Sequence, residues 1–461
     1  MINEAQIKNV YFIGIGGIGM SALARYFVGR GVRVSGYDRA RTPLTAALES
    51  EGIQVYYADE VSSVDPDAQW VVYTPAIPAA SKVLQYYREH GYTLLKRSDV
   101  LQKITESSFN ICVAGTHGKT TITTLIAFIL RHSGYGCNAF LGGISANYQT
   151  NFWSSERNVC VVEADEYDRS FLKLSPDIAV ITAMDPDHLD IYGTAEAMED
   201  AFIAFAGRIK QGGWLLSKYG LSRGGELSRR VPGYLTYSLR STEADVHVQA
   251  LRVEEGSYLF DAQVSGSAVV LRDVVLHMGG LHNVENTLAA IAVAHSLGID
   301  GEAIKAAVAA FKGVKRRFEY VVRTEETVLV DDYAHHPEEL RALITGAKDL
   351  FPGRKCTVVF QPHLFSRTKD LADAFAASLD LADAVILLPI YPARELPVEG
   401  VSSSLILDRM KNPEKQLMTK EELLEWAARA KPELLIMSGA GDIDALVEPV
   451  AERLRKTSEG V

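Results

Sequence analysis

Apolar residues cluster along this chain in short runs, each followed by a stretch with helical spacing, and the alternation predicts an α/β fold. The first run, residues 9–15, predicts a strand entering Gly14, Gly16 and Gly19, then a helix to about residue 30 and a second strand over 32–38. A strand over 70–74 and a helix over 82–90 continue the pattern, so the opening domain is Rossmann-like and ends near 104–108. The next run, 110–114, passes through Gly115-Thr-His-Gly-Lys-Thr-Thr121 into a helix over 119–132, whose Ile122, Leu125, Ile126, Ile129 and Leu130 share a face. Buried strands follow over 159–164, 178–183 and 214–217.

Residues 245–277 alternate instead, with turns at Glu255-Gly256 and Ser265-Gly266, which predicts antiparallel hairpins attached to a mostly parallel sheet. Helices over 284–297 and 301–311 come next. Past Gly313-Val-Lys-Arg-Arg-Phe-Glu319, strands are predicted over 328–332, 356–361, 384–389 and 434–438, separated by helical pattern. The expected organisation is three domains over 1–106, 107–315 and 316–461: Rossmann-like, a phosphate-loop domain, and Rossmann-like again.

Composition narrows the class without naming a function. A chain of 461 residues, 47% hydrophobic and 23% charged, is that of a globular protein with more than one core. A net charge of −11 speaks against a nucleic-acid surface. Cys112, Cys137, Cys160 and Cys356 are scattered without paired metal-ligand spacing, which fits buried thiols in a reducing cytoplasm. No apolar run is long enough to span a bilayer and the start of the chain does not read as a signal peptide, so no stable membrane association is expected.

The strongest chemistry lies at Gly115, Thr116, His117, Gly118, Lys119, Thr120 and Thr121. A helix start presents unpaired amides and the positive end of its dipole; the two glycines let the backbone approach a polyphosphate, Lys119 adds charge, and Thr120 offers a hydroxyl to a metal. Val113 stands where the longer phosphate-loop pattern has its first glycine, so this is a shorter variant. A nucleoside triphosphate with Mg2+ is the expected ligand. Glu163, ending an apolar strand, is the metal-ligand candidate, with Asp165 and Glu166 beside it. His188 follows another strand and could ligate a metal or contact phosphate. Asn283 and Asn286 share a helix face, as caps or as readers of an adenine edge. Arg316 and Arg317 are surface charges or reach a transferring phosphoryl group. In the last domain Tyr333, His335, His336 and Arg367 come from two strand ends that converge on one crevice, where the arginine could pair with the carboxylate of a small zwitterion.

Together these motifs resemble the Mur ligases. The likeness rests on Gly14-Ile-Gly-Gly-Ile-Gly-Met-Ser21, the phosphate loop, Glu163-Ala-Asp-Glu166, Asp187-His188, His282-Asn283 with Asn286, Arg316-Arg-Phe318, Asp331-Asp-Tyr-Ala-His-His-Pro337 and the 363–368 segment, and it covers essentially the whole chain. It implies a UDP-sugar domain, a central ATPase and an amino-acid domain. The activity implied is that of the alanine-adding branch: ATP-dependent ligation of L-alanine to UDP-N-acetylmuramate through an acyl phosphate, by a monomer or homodimer in the cytoplasm. By the same resemblance Lys119, Thr120 and Glu163 hold phosphates and the first Mg2+, and His188 a second metal. His282, Asn283 and Asn286 then lie near adenine, and Arg317 and Asp332 complete the nucleotide site. Tyr333, His335 and Arg367 face alanine, with His335 or His336 taking the amine's proton. Gly14, Gly16, Gly17, Ile18 and Gly19, with Asp38, hold the UDP diphosphate. Sister ligases carry a carbamylated lysine fourteen places after the Asp-His histidine; Phe202 stands there, so none is expected. Some members have an arginine where this chain has Leu364.

Three rivals remain at this level. The family member that attaches a tripeptide to the same sugar nucleotide shares the central motifs and differs in the last domain. A nicotinamide dehydrogenase would use Gly14, Gly16, Gly19 and Asp38 but leaves the phosphate loop unexplained. A non-catalytic nucleotide-binding regulator is the third.

Overall fold

The computed structural model describes residues 7–167, 169–186, 189–264, 270–393 and 395–458. Its strands form three sheets among the described residues. The first contains β1 (Asn9–Ile13), β2 (Arg33–Tyr37), β3 (Gln54–Tyr56), β4 (Trp70–Tyr73) and β5 (Leu94–Lys96), in the order β3-β2-β1-β4-β5 and parallel throughout. The reversal of order between β1 and β4 opens a crevice at their carboxyl ends, the usual ligand position in such sheets.

The second sheet takes β6 (Phe109–Ala114), β7 (Asn138–Ser145), β8 (Thr150–Trp153), β9 (Val159–Glu163), β10 (Ile178–Ile181), β11 (Trp214–Lys218), β12 (Gly233–Ser238), β13 (Val246–Glu254), β14 (Ser257–Val264) and β15 (Val270–Leu276). Its order is β15-β14-β13-β12-β11-β10-β6-β9-β7-β8. From β12 to β7 the pairs are parallel. β13 and β14 are neighbours joined by the two-residue turn Glu255-Gly256, which forces them antiparallel, as the alternation predicted. The predicted turn at 265–266 lies outside the described residues. The third sheet contains β16 (Glu319–Arg323), β17 (Val328–Asp332), β18 (Cys356–Phe360), β19 (Ala384–Leu387), β20 (Lys415–Leu417) and β21 (Leu434–Ser438), ordered β16-β17-β21-β18-β19-β20 with β16 antiparallel.

Contacts divide the chain into two compact units: residues 1–249, 262–271 and 285–308 in one, and 250–261, 272–284 and 309–461 in the other. The first unit joins the N-terminal sheet to the β7–β8 hairpin, an element that the hydrophobic pattern did not reveal. Asn151 on β8 is fully buried and donates to the Ile18 carbonyl at 2.6 Å and to Ser21 Oγ at 2.9 Å, while Arg25 donates to its side-chain oxygen. Arg25 also forks onto Glu51, and Tyr26 packs against Phe140 and Phe152. All four cysteines are buried thiols, with no disulfide among the described residues. No helix of the described residues is long and apolar enough to cross a membrane.

Candidate functional site

The phosphate loop forms where β6 ends and the helix Lys119–His132 begins. Gly118 precedes that helix with φ +80°, and a Cβ there would stand 2.7 Å from Asn286 Oδ1. Gly115 has φ +128°, and a Cβ on it would meet Thr182 Oγ1 at 2.1 Å and two backbone nitrogens at 2.8 Å. Both positions therefore require glycine, for backbone angle and for space. Lys119 folds back over the loop: its Nζ donates to the Gly115 carbonyl and to Glu166 Oε1, each at 2.7 Å, and Glu166 is fully buried. Glu166 entered the sequence reading only as a neighbour of Glu163; its grip on the loop lysine was not anticipated.

Glu163 ends β9, beside β6 in the sheet, so its carboxylate reaches the loop. Thr120 Oγ1 donates to Glu163 Oε1 at 3.1 Å, and the Gly142 amide donates to Oε2 at 3.1 Å. Adjacent oxygens in an octahedral Mg2+ shell stand about 2.9 Å apart, so the hydroxyl and carboxylate fit as neighbours on one such ion. His117 is exposed, its Nε2 3.7 Å from Asp185 Oδ2. Thr121 is buried in the first turn. His188 lies outside the described residues. Among the described residues no group of three His, Cys, Asp or Glu side chains forms a metal centre. Phe202, at the position of the sister enzymes' lysine, is a core residue packed on Phe171.

The helix Leu281–Ser296 carries the two asparagines. Asn283 donates its side-chain amide to the Gly279 carbonyl at 2.7 Å, a bond to a carbonyl and not the cap of a helix amide, and His282 is exposed with its ring over Gly280. Asn286 stands against Gly118 of the phosphate loop.

In the second unit the two junction arginines separate by role. Arg316 has φ +61°, donates to the Gly439 carbonyl, stands 3.6 Å from Asp331 and lies over the Tyr333 ring. It is a structural cation. Arg317 is exposed, with no side-chain hydrogen bond or ion pair among the described residues, so its guanidinium is available to a ligand. Asp332 accepts from the amides of Phe318 and Ala334, both at 2.7 Å, and so fixes the backbone around these arginines. Burial pushes the Asp331 carboxyl up to about 7 against the pull of Arg316, and raises Asp332 as well.

Tyr333, His335 and Arg367 approach one another through a residue that the sequence reading left unassigned. The His363 ring lies 6.1 Å from His335 and stacks on Tyr391 at 5.8 Å; His335 in turn meets Tyr333 at 5.1 Å. Burial and the Arg367 guanidinium hold the His363 pKa below its usual value. His363 Nδ1 and Arg367 Nη1 are buried without a hydrogen-bond partner among the described residues. His335 Nδ1 is 2.9 Å from the Tyr333 carbonyl, which can only accept, so that nitrogen carries a proton and in the neutral ring Nε2 is the basic one. His336 is exposed at the N-cap of the helix Pro337–Leu350. Leu364, with φ +71°, starts the short helix that bears Arg367.

At the first glycine loop, the Gly16 amide donates to Asp38 Oδ2 at 2.8 Å, and Gly17 caps the helix Ile18–Val28. Gly14 turns with φ +84°.

Residues 9–108 match the Mur ligase family catalytic domain, 113–294 the Mur ligase middle domain, and 316–441 the Mur ligase glutamate ligase domain. The UDP-N-acetylmuramate–L-alanine ligase of Parabacteroides distasonis is 48% identical over 98% of this chain and 98% of its own. The crystal structure of UDP-N-acetylmuramate–alanine ligase from Thermotoga maritima superposes with a TM-score of 0.80 at 28% identity, covering 98% of this chain and 99% of that one. A murein peptide ligase from Psychrobacter arcticus shares the fold at a TM-score of 0.65 and 23% identity, covering 98% and 99%.

Proposed function

The chain belongs to the Mur ligase family, and from that premise we infer that it is an ATP-dependent ligase joining L-alanine to the lactyl carboxylate of UDP-N-acetylmuramate, in peptidoglycan precursor synthesis. One observation carries the choice of amino acid: 48% identity, end to end, to a relative named for that reaction. The tripeptide-attaching alternative is less favoured, because the murein peptide ligase superposes less well than the alanine ligase.

The lactyl carboxylate attacks the γ-phosphorus of ATP and ADP leaves, giving an acyl phosphate. The alanine amine then attacks the acyl carbon, the bond to phosphate breaks, and one proton departs with phosphate while another goes to a base. Lys119, drawn from Glu166 onto the phosphates, neutralises charge on the transferring group. Thr120 and Glu163 would hold Mg2+, which would offset the negative charge of the phosphates. Arg317 is free to add a guanidinium fork. Arg367 pairs with the alanine carboxylate, and His335, through Nε2, is better placed than the capping His336 to take the amine's proton. His282, Asn283 and Asn286 bound the nucleoside end of ATP, with Asp332 supporting Arg317. We place the enzyme in the cytoplasm, and keep the domain boundaries at 106/107 and 315/316.

The test is ADP release by the purified protein with UDP-N-acetylmuramate, first without and then with L-alanine, and with a tripeptide in its place. Stoichiometric ADP that depends on alanine supports the reading; turnover with tripeptide alone, or none with any muramyl nucleotide, sinks it.

A further inference from the structure

The glycine loop after β1 has a cation that its own motif does not contain. Its acid, Asp38, does not face outward toward a ribose as in dinucleotide folds; it turns in and takes the Gly16 amide, adding negative charge beside the loop. A Cβ on Gly16 would stand 2.6 Å from Thr45 and 2.8 Å from that carboxylate, so the arrangement is close-packed. What remains for an anion is the first turn of the helix Ile18–Val28. The first bond there runs from Ser21 N to the Gly17 carbonyl at 2.9 Å, so the amides of Ile18, Gly19 and Met20 close no turn of their own helix.

Arg97 lies on that turn. It is the first residue of the helix Arg97–Ser107, directly after β5, and it reaches past the end of β4 to the crevice at the strand-order reversal. A Cβ on Gly19 would be 2.6 Å from its Nη1 and 3.2 Å from its Cζ, so the bare backbone at 19 is what admits the guanidinium. No hydrogen bond or ion pair engages the Arg97 side chain among the described residues. An uncompensated guanidinium against the positive end of a helix is electrostatically costly alone and well matched to a doubly charged anion between the two.

We propose that Arg97 grips the diphosphate of the nucleotide-sugar substrate against the first turn of the helix Ile18–Val28. The proposal rests on the function argued above and adds a substrate-binding residue to it. It also explains Gly19: the third glycine of the fingerprint makes room for a side chain from another element.

Titrating the full-length protein with UDP, UMP and NADH, as wild type and as Arg97→Gln, Arg97→Lys and Gly19→Ala, tests it. Loss of a charge-assisted fork should weaken UDP roughly 10- to 100-fold in Arg97→Gln, and UMP by less. Arg97→Lys should recover part of the loss, and Gly19→Ala should reproduce part of it by displacing the guanidinium. The KM for UDP-N-acetylmuramate should rise in step with the UDP loss while those for ATP and alanine hold, which a merely structural defect would not produce. Equal UDP affinity in wild type and Arg97→Gln overturns the assignment and leaves the ligase reading intact. Preference of the wild type for NADH over UDP, with no ligation, overturns both.

Discussion

Two glycine loops in the first unit each join a buried strand to a helix, yet they are furnished differently for the phosphates proposed for them. The loop after β6 carries its cation as the next residue, Lys119, and holds it in reserve on the buried Glu166. The loop after β1 spends an amide on Asp38 and receives its cation from a helix beyond β5. In the first, glycine is demanded by backbone: Gly115 would drive a Cβ into Thr182 and main-chain atoms. In the second, Gly19 faces only a flexible guanidinium. On the proposed roles the difference makes sense: a reacting phosphate needs a rigid cradle, whereas one that is only held can be gripped by a side chain that moves.

Mutations separate the two. Lys119→Ala should lower ligation by roughly a hundredfold or more, and by removing the cation paired with the buried Glu166 it should also cost about 3 kcal/mol of stability. Adding Glu166→Gln should restore the melting temperature and none of the activity, read by calorimetry and ADP release. Full stability of Lys119→Ala alone would show that the clamp is not a true ion pair. Gly115→Ala, overpacked and at a positive φ, should cost about 3 kcal/mol in urea denaturation.

The second unit carries a titrating group of its own. Burial raises the folded Asp331 pKa to about 7, above its unfolded value, so its stabilising contribution is complete at acid pH and is lost as pH rises through 7. The protein should gain about 2 kcal/mol at pH 5 over pH 8 from this group, a difference that Asp331→Asn should erase. EDTA should weaken ATP binding about tenfold or more, the value of one charged contact, and leave UDP binding unchanged, since only the later loop has a hydroxyl and a carboxylate set for a metal. Smallest of all, Gly19→Ala should shift the melting temperature by no more than about 2 °C.

The same contrast explains what was legible in the sequence. The phosphate loop was readable because its glycines, lysine and threonine are contiguous, and β21 and the helix Lys119–His132 matched their predicted spans for the same local reason. Arg97 was invisible because β5 and its crossover, not spacing, bring it to Gly19. The β7–β8 hairpin was missed: its Gly142, Gly143 and polar turn interrupt any alternation. β10 was drawn too long because Thr182 and Ala183 are buried under the phosphate loop, where Thr116 N donates to the Ala183 carbonyl at 3.2 Å. His363 opens one of the segments that carry the resemblance but had no role of its own; stacking on Tyr391 shows where it sits.

Asn151 has one more implication. Severing the polypeptide between the first two sheets would leave Arg25 without its amide partner and expose Tyr26, Phe140 and Phe152 to water. Neither fragment should be well behaved in isolation, so the first two sheets stand or fall as a single folding piece.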